Sequence, residues 1–263
     1  MQATDAAASG RDPGSRGSLV TLELVGIALL ALAVRLIDLG HPPFVDELNH
    51  VLAAGSLLQD GTLRIHEGVP YDRARLFTWL VAGSMALFGD NLEAARLPAV
   101  ISGVLLVCVL FAWLRSASGR IAAWTGALLL CFSPIALYLS QWVRFYTLHA
   151  LFFWLAAWGV YRFVCRADPV ATRWWIGAGS LVAFLLAFHL QITTVVGGAG
   201  LALFVGLVEG PRLLEATGSP RRRWTLVGAG IVVLLGLAAI AWGLGIVDWL
   251  VERASRVDIW ALE

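Results

Sequence analysis

The chain has 263 residues, 59% of them hydrophobic and only 14% charged, with a mean hydropathy of +0.79 and a formal net charge of +1. That balance excludes a soluble domain folded round one core and describes a protein with several membrane spans. All 19 basic residues are Arg, and no nucleic-acid partner is expected.

Residues 1–18 are small, polar and Gly-rich, the composition of a disordered cytoplasmic tail. They are not a signal peptide, because the apolar run behind them is long enough to span and no small-residue cleavage site closes it. The runs 19–37, 97–114, 121–139, 147–164, 174–190, 192–208 and 225–247 each approach the ~20 residues that a hydrocarbon core of ~30 Å requires. An all-α polytopic fold of about seven spans follows, occupying residues 19–247. The run 76–88 is too short to cross and reads as an interfacial helix. Were it to cross, every later loop would change sides, and the run Arg221-Arg222-Arg223 would lie outside, against the positive-inside rule. The N-terminus is therefore expected inside. Residues 248–263 would begin a further extracytoplasmic segment, expected to be truncated. Cys108, Cys131 and Cys165 sit in or at the end of apolar runs without metal-like spacing, as small buried side chains rather than a disulfide framework.

The first outer loop, 38–95, is where the chemistry-bearing residues collect. Asp46 and Glu47 follow His-Pro-Pro and open a short amphipathic pattern over 46–59 (Leu48, Val51, Leu52, Gly55, Leu58). A carboxylate pair at a helix N-terminus is stabilised in its ionised form by the partial positive charge there. Asp46 fits a general base and an N-cap equally well. Further on come His66 and Glu67, which could join a divalent metal site although two adjacent ligands are a weak signal. Tyr71, Arg73 and Arg75 follow as candidate phosphate contacts. Between the third and fourth spans, Arg144 lies in a short turn flanked by apolar runs. An unpaired guanidinium is costly there, so a phosphate or carboxylate partner is expected. His189 and His149 read as satisfied polar groups in or at the ends of spans.

Two longer patterns carry a family resemblance. "FGDNLEAARLPA" leads into the second span, with Phe88, Gly89, Ala95, Arg96, Leu97, Pro98 and Ala99 carrying the pattern. "SPIALYLSQWVRFY" joins the third span to the fourth, with Ser133, Pro134, Ser140, Arg144 and Tyr146. Together with Asp46-Glu47 they resemble the polyprenyl-phosphate-sugar-dependent glycosyltransferases of the GT-C superfamily, in the bacterial branch of the protein O-mannosyltransferases and lipid A aminoarabinose transferases. The resemblance implies an inner-membrane enzyme with its catalytic loop outside, moving a sugar with inversion from a polyprenyl-phosphate carrier to a protein or glycolipid. Carried over by position, Asp46 would be the base and Glu47 its neighbour. Arg144, Arg73, Arg75 and Tyr71 would serve the donor phosphate, and Tyr146, Arg96 and His189 are further candidates. Two other classes weigh less. A transporter would want charges in mid-membrane and repeated halves, and a non-catalytic assembly partner would have little use for Asp46, Arg96 and Arg144 together.

Overall fold

The computed structural model describes residues 13–216, which divide between a unit ending at Thr194 and a second starting at Val195. The helices are α1 (Pro13–Leu36), α2 (Val45–Asp60), α3 (Arg75–Phe88), α4 (Leu92–Ala117), α5 (Arg120–Cys131), α6 (Pro134–Ser140), α7 (Tyr146–Cys165), α8 (Val170–Leu190) and α9 (Thr194–Ala216). A single 3-10 turn, His66–Gly68, lies between α2 and α3. The chain is thus an all-α polytopic membrane protein. Among the described residues, Ser18–Leu36, α4, α7 and α8 are long and apolar enough to cross, and α5 with α6 makes a fifth candidate bent by 61°. The seventh expected span, 225–247, falls outside the described residues. The expected sixth, 192–208, corresponds to a shorter apolar stretch, Thr194–Gly210.

The expected third span, 121–139, is not continuous, for a local reason. Ser133 accepts from the Ala136 backbone N–H, and Pro134 takes the first helical position. Pro is pre-organised for a helix start but cannot donate backward into the helix behind it. The chain therefore stops at Cys131 and restarts at a new angle.

Residues 76–88 form α3 as expected. Its 14 residues rise only ~21 Å, short of a hydrocarbon core. The helix buries Phe77, Thr78, Val81, Ala82 and Met85 and leaves Trp79, Leu80 and Leu87 exposed. It is pinned to α4 by a hydrogen bond that Pro98 makes available. Pro98 has no N–H, so the Ala94 carbonyl four residues earlier loses its helical donor; the Ser84 hydroxyl donates to it instead, at 2.6 Å. Residues 38–95 thus fold as two helices against the start of α4.

Two clusters hold the helices together. One gathers Phe77, Val81, Met85, Ala95, Ala99, Val143, Phe145 and Leu148 beneath α2. The other joins Ile27, Ala31, Val107, Phe111, Ala123 and Ala127 of α1, α4 and α5. At the far end from α2, Glu23 of α1 binds Arg115 at 3.4 Å and Arg120 at 2.5 Å, so one nearly buried carboxylate ties α1 to the end of α4 and the start of α5. Of the cysteines only Cys131 is buried; Cys165 ends α7 on the surface, where the apolar run gives out.

Candidate active site

The adjacent carboxylates of α2 meet opposite environments. Helix α2 begins at Val45, and Phe44 occupies the cap position without a side-chain hydrogen bond. Asp46 is consequently inside the first turn rather than capping it. Successive helical residues point about 100° apart, so when Glu47 faces inward Asp46 cannot. Glu47 is fully buried and receives Arg96 Nε at 3.1 Å and Nη2 at 3.0–3.2 Å. The remaining nitrogen of Arg96, also fully buried, donates to the carbonyls of Leu39 and His41. This forked pair fastens α2 and the segment after α1 to α4. Glu47 and Arg96 are therefore spent on each other, away from solvent.

Asp46 remains 54% exposed. Its Oδ2 lies 3.1 Å from Arg144 Nη2, its backbone carbonyl accepts from Nη1 at 3.2 Å, and among the described residues Oδ1 has no hydrogen bond. Arg144 is 4% exposed and also donates to the Tyr146 hydroxyl at 3.1 Å, while its Nε–H has no partner among the described residues. The partner expected for this guanidinium is thus a carboxylate.

The turn carrying Arg144 is positioned from α1. Gln141 Nε2 donates to the carbonyls of Arg35 and Ile37, which the end of α1 leaves open, and Trp142 stacks on Phe44 at 5.3 Å with ring planes 8° apart. Phe145 then has two cations near its ring, with the Arg144 guanidinium 5.9 Å and that of Arg73 5.7 Å from its centre. Arg73 is exposed.

Behind Asp46, one helical turn along α2, is His50, which the sequence reading passed over. It is fully buried against the edges of Tyr71, Phe77 and Phe145. Nδ1 is hydrogen-bonded to Thr78 Oγ1 at 2.9 Å and Nε2 to the Tyr71 hydroxyl at 3.2 Å. Burial, reinforced by the positive charges of Arg144 and Arg73, lowers its pKa to about 3, so the ring is neutral. Burial also pushes the Tyr71 phenol up to about 12, against the pull of the same two Arg. A His four residues after Asp46 shares its helical face, and that spacing was the signal available.

The other candidates make no hydrogen bond or ion pair to Asp46, Arg144 or His50 among the described residues, although Arg75 shares a pocket with Tyr71. Arg75 pairs loosely with Asp72 at 3.9 Å, both mostly exposed, at a pocket of about 300 Å³ walled by Tyr71 and Trp79. His66 is exposed beside a second pocket of about 490 Å³ with Asp60, Arg64 and Asp90, on the far side of α2. The side chain of Glu67 is outside the description. Among the described residues no three His, Cys, Asp or Glu side chains assemble as metal ligands. His189 is exposed in the last turn of α8, with no hydrogen bond or ion pair among the described residues. His149 is bonded to Thr194 Oγ1 at 2.8 Å, the satisfied polar group expected.

Compared with known families, residues 72–242 match the dolichyl-phosphate-mannose-protein mannosyltransferases, more than half of the chain. The chain belongs to this family. It is a membrane glycosyltransferase of the GT-C type. The family match begins at Asp72 and so contains Arg73, Arg96 and Arg144 but not Asp46 or Glu47. No curated protein and no solved structure matches the chain.

Proposed function

We propose that the protein transfers a sugar from a polyprenyl-phosphate carrier to a hydroxyl of a protein or glycolipid at the outer face of the cell membrane, with Asp46 as general base. The observation that carries this reading is the unequal treatment of two neighbouring acids: Glu47 is locked on Arg96, whereas Asp46 keeps one oxygen free beside a group of cations. In the transfer, Asp46 Oδ1 takes the proton of the acceptor hydroxyl as that oxygen attacks the anomeric carbon. The bond from this carbon to the phosphate oxygen breaks on the opposite face, and its electron pair stays on the phosphate, which gives inversion. Arg144 orients Asp46 through Oδ2 and through its backbone carbonyl. Arg73, exposed beside Phe145, receives the phosphate with the Tyr71 hydroxyl, so charge developing on the leaving group meets a cation and a hydrogen-bond donor. The topology that serves this scheme has the N-terminus inside and α2 outside, as the Arg distribution favours.

The test is Asp46→Asn in the full-length protein, assayed by loss of mannose from dolichyl-phosphate mannose. The rate should fall by about 10²- to 10⁴-fold, the usual weight of a general base, with the folded protein retained. Transfer at the parental rate would remove Asp46 from the chemistry, and loss of the folded protein would make it a structural residue.

A further inference from the structure

We propose that His50 is a positioning residue that aims the Tyr71 hydroxyl at the phosphate of the lipid-linked donor. The inference rests on the function just given and adds a residue that touches neither sugar nor phosphate. Its basis is the chain of hydrogen bonds running outward from the core: Thr78 Oγ1, His50 Nδ1, His50 Nε2, Tyr71 hydroxyl. A neutral imidazole has one N–H, so this chain has two settings. In one, Tyr71 donates inward to Nε2 and turns its oxygen lone pairs outward. In the other, Thr78 donates to Nδ1, Nε2–H donates to the phenolic oxygen, and the Tyr71 proton is free to point outward.

A phosphate beside Arg73 selects the second setting, because lone pairs facing an anion repel it whereas an O–H supports it. Hydrogen bonds in series polarise one another, so the Nε2–H donated to Tyr71 makes its hydroxyl a better donor. The ring is well suited to hold that alignment. It is fully buried and bounded by the edges of Tyr71, Phe77 and Phe145, which leaves little room to turn. Being neutral, it adds no charge beside Arg73 and Arg144. Tyr71 in turn keeps its proton at any physiological pH.

Gln and Asn separate the two halves of the ring. The Gln amide nitrogen reaches about where Nε2 lies and can donate to Tyr71, whereas Asn reaches only the Nδ1 position and serves Thr78 alone. Dolichyl phosphate, which has no sugar to transfer, isolates binding of the anion. With the full-length protein in detergent, Tyr71→Phe and His50→Asn should each weaken its binding by about ten- to a hundredfold, the weight of a hydrogen bond to a charged group. His50→Gln should stay within about threefold of the parent, a margin well below that weight. The combination of His50→Asn with Tyr71→Phe should be no worse than Tyr71→Phe alone, since His50 acts only through that hydroxyl. Equal losses in the Gln and Asn variants, or additive losses in the double variant, would overturn the proposal and leave His50 a packing residue. If Tyr71→Phe and Arg73→Ala both bind dolichyl phosphate as the parent does, the phosphate site itself is misplaced and the role of His50 falls with it. Loss at Tyr71 and Arg73 without the Gln/Asn difference overturns the His50 inference alone.

Discussion

The Glu47–Arg96 pair gives the sharpest separation of structure from chemistry. Both side chains are fully buried, and their three nitrogen–oxygen contacts span 3.0–3.2 Å. Removing one partner of such a pair leaves the other charge uncompensated and costs about 3–5 kcal/mol. At ~1.4 kcal/mol per tenfold this multiplies the unfolded fraction by roughly 10²–10⁴. Glu47→Gln should therefore melt well below the parent in detergent, followed by intrinsic Trp fluorescence. Arg96→Met should do the same, stranding the carboxylate. Combining Glu47→Gln with Arg96→Met should recover part of the loss, because no buried charge is then left alone. Asp46→Asn should cost much less, about 1 kcal/mol, because the Asn amide oxygen can still accept from the buried Arg144, whose hydrogen bonds to the residue-46 carbonyl and the Tyr146 hydroxyl remain. A Glu47→Gln variant that melts with the parent yet has lost transfer would refute this division and bring Glu47 into the reaction.

Folding stability should respond to acid through His50. Its pKa lies near 3 in the fold, set by burial and by Arg144 and Arg73, against 6.5 when exposed. Between those values the unfolded chain binds a proton that the fold refuses, so this contribution is whole above pH ~6.5 and fades as pH falls, on the order of 1 kcal/mol per unit. Denaturant midpoints from pH 7.5 down to 4.5 should slope in the parent and flatten in His50→Gln; identical slopes would mean that other groups set the dependence. Where α7 meets α8, a Cβ added at Gly159 would come within 2.7 Å of Ser180 Cβ and near its backbone, so Gly159→Val should destabilise by about 1–3 kcal/mol. A melt equal to the parent's would show that the two helices can part at no cost. On topology, a cysteine at Asn49 should react with a membrane-impermeant thiol reagent in intact cells, and one at Gly218 only after permeabilisation; the reverse pattern would place α2 inside.

What was legible in the sequence were features with a long repeat or a local cause. Apolar runs of membrane length marked α1, α4, α7 and α8, and a run too short to span marked α3. The break at Ser133-Pro134 was written in the sequence, yet hydropathy averaged over 121–139 hides it, because a Pro changes direction without changing polarity. The site was legible as a set of residues and not as a set of partners. Arg144 was read as needing an anion, but which anion depends on a contact with Asp46 across 98 residues. Glu47 could not be told from Asp46 by type or position, since the difference is one 100° step of helix and the presence of Arg96 opposite. His50 was missed because its one signal, a place four residues after Asp46, says nothing of a partner until Thr78 and Tyr71 are folded against it.

The arrangement also explains why so few polar residues suffice to hold a site drawn from distant parts of the chain. Segments 35–47 and 141–146 are joined by Gln141 to the open carbonyls of α1, by Trp142 against Phe44, and by Arg144 to Asp46. The first two contacts use groups that the end of a helix and a membrane surface leave unsatisfied in any case, so aligning them costs little beyond the ordering of two side chains. Once they are made, the turn has little freedom left, and Arg144 arrives at Asp46 without having to draw in the carboxylate by its own charge. An electrostatic contact of a half-exposed acid is weak as glue. It can still be firm in geometry when its two ends are positioned by other contacts, and a base that must stay accessible to its acceptor needs that combination.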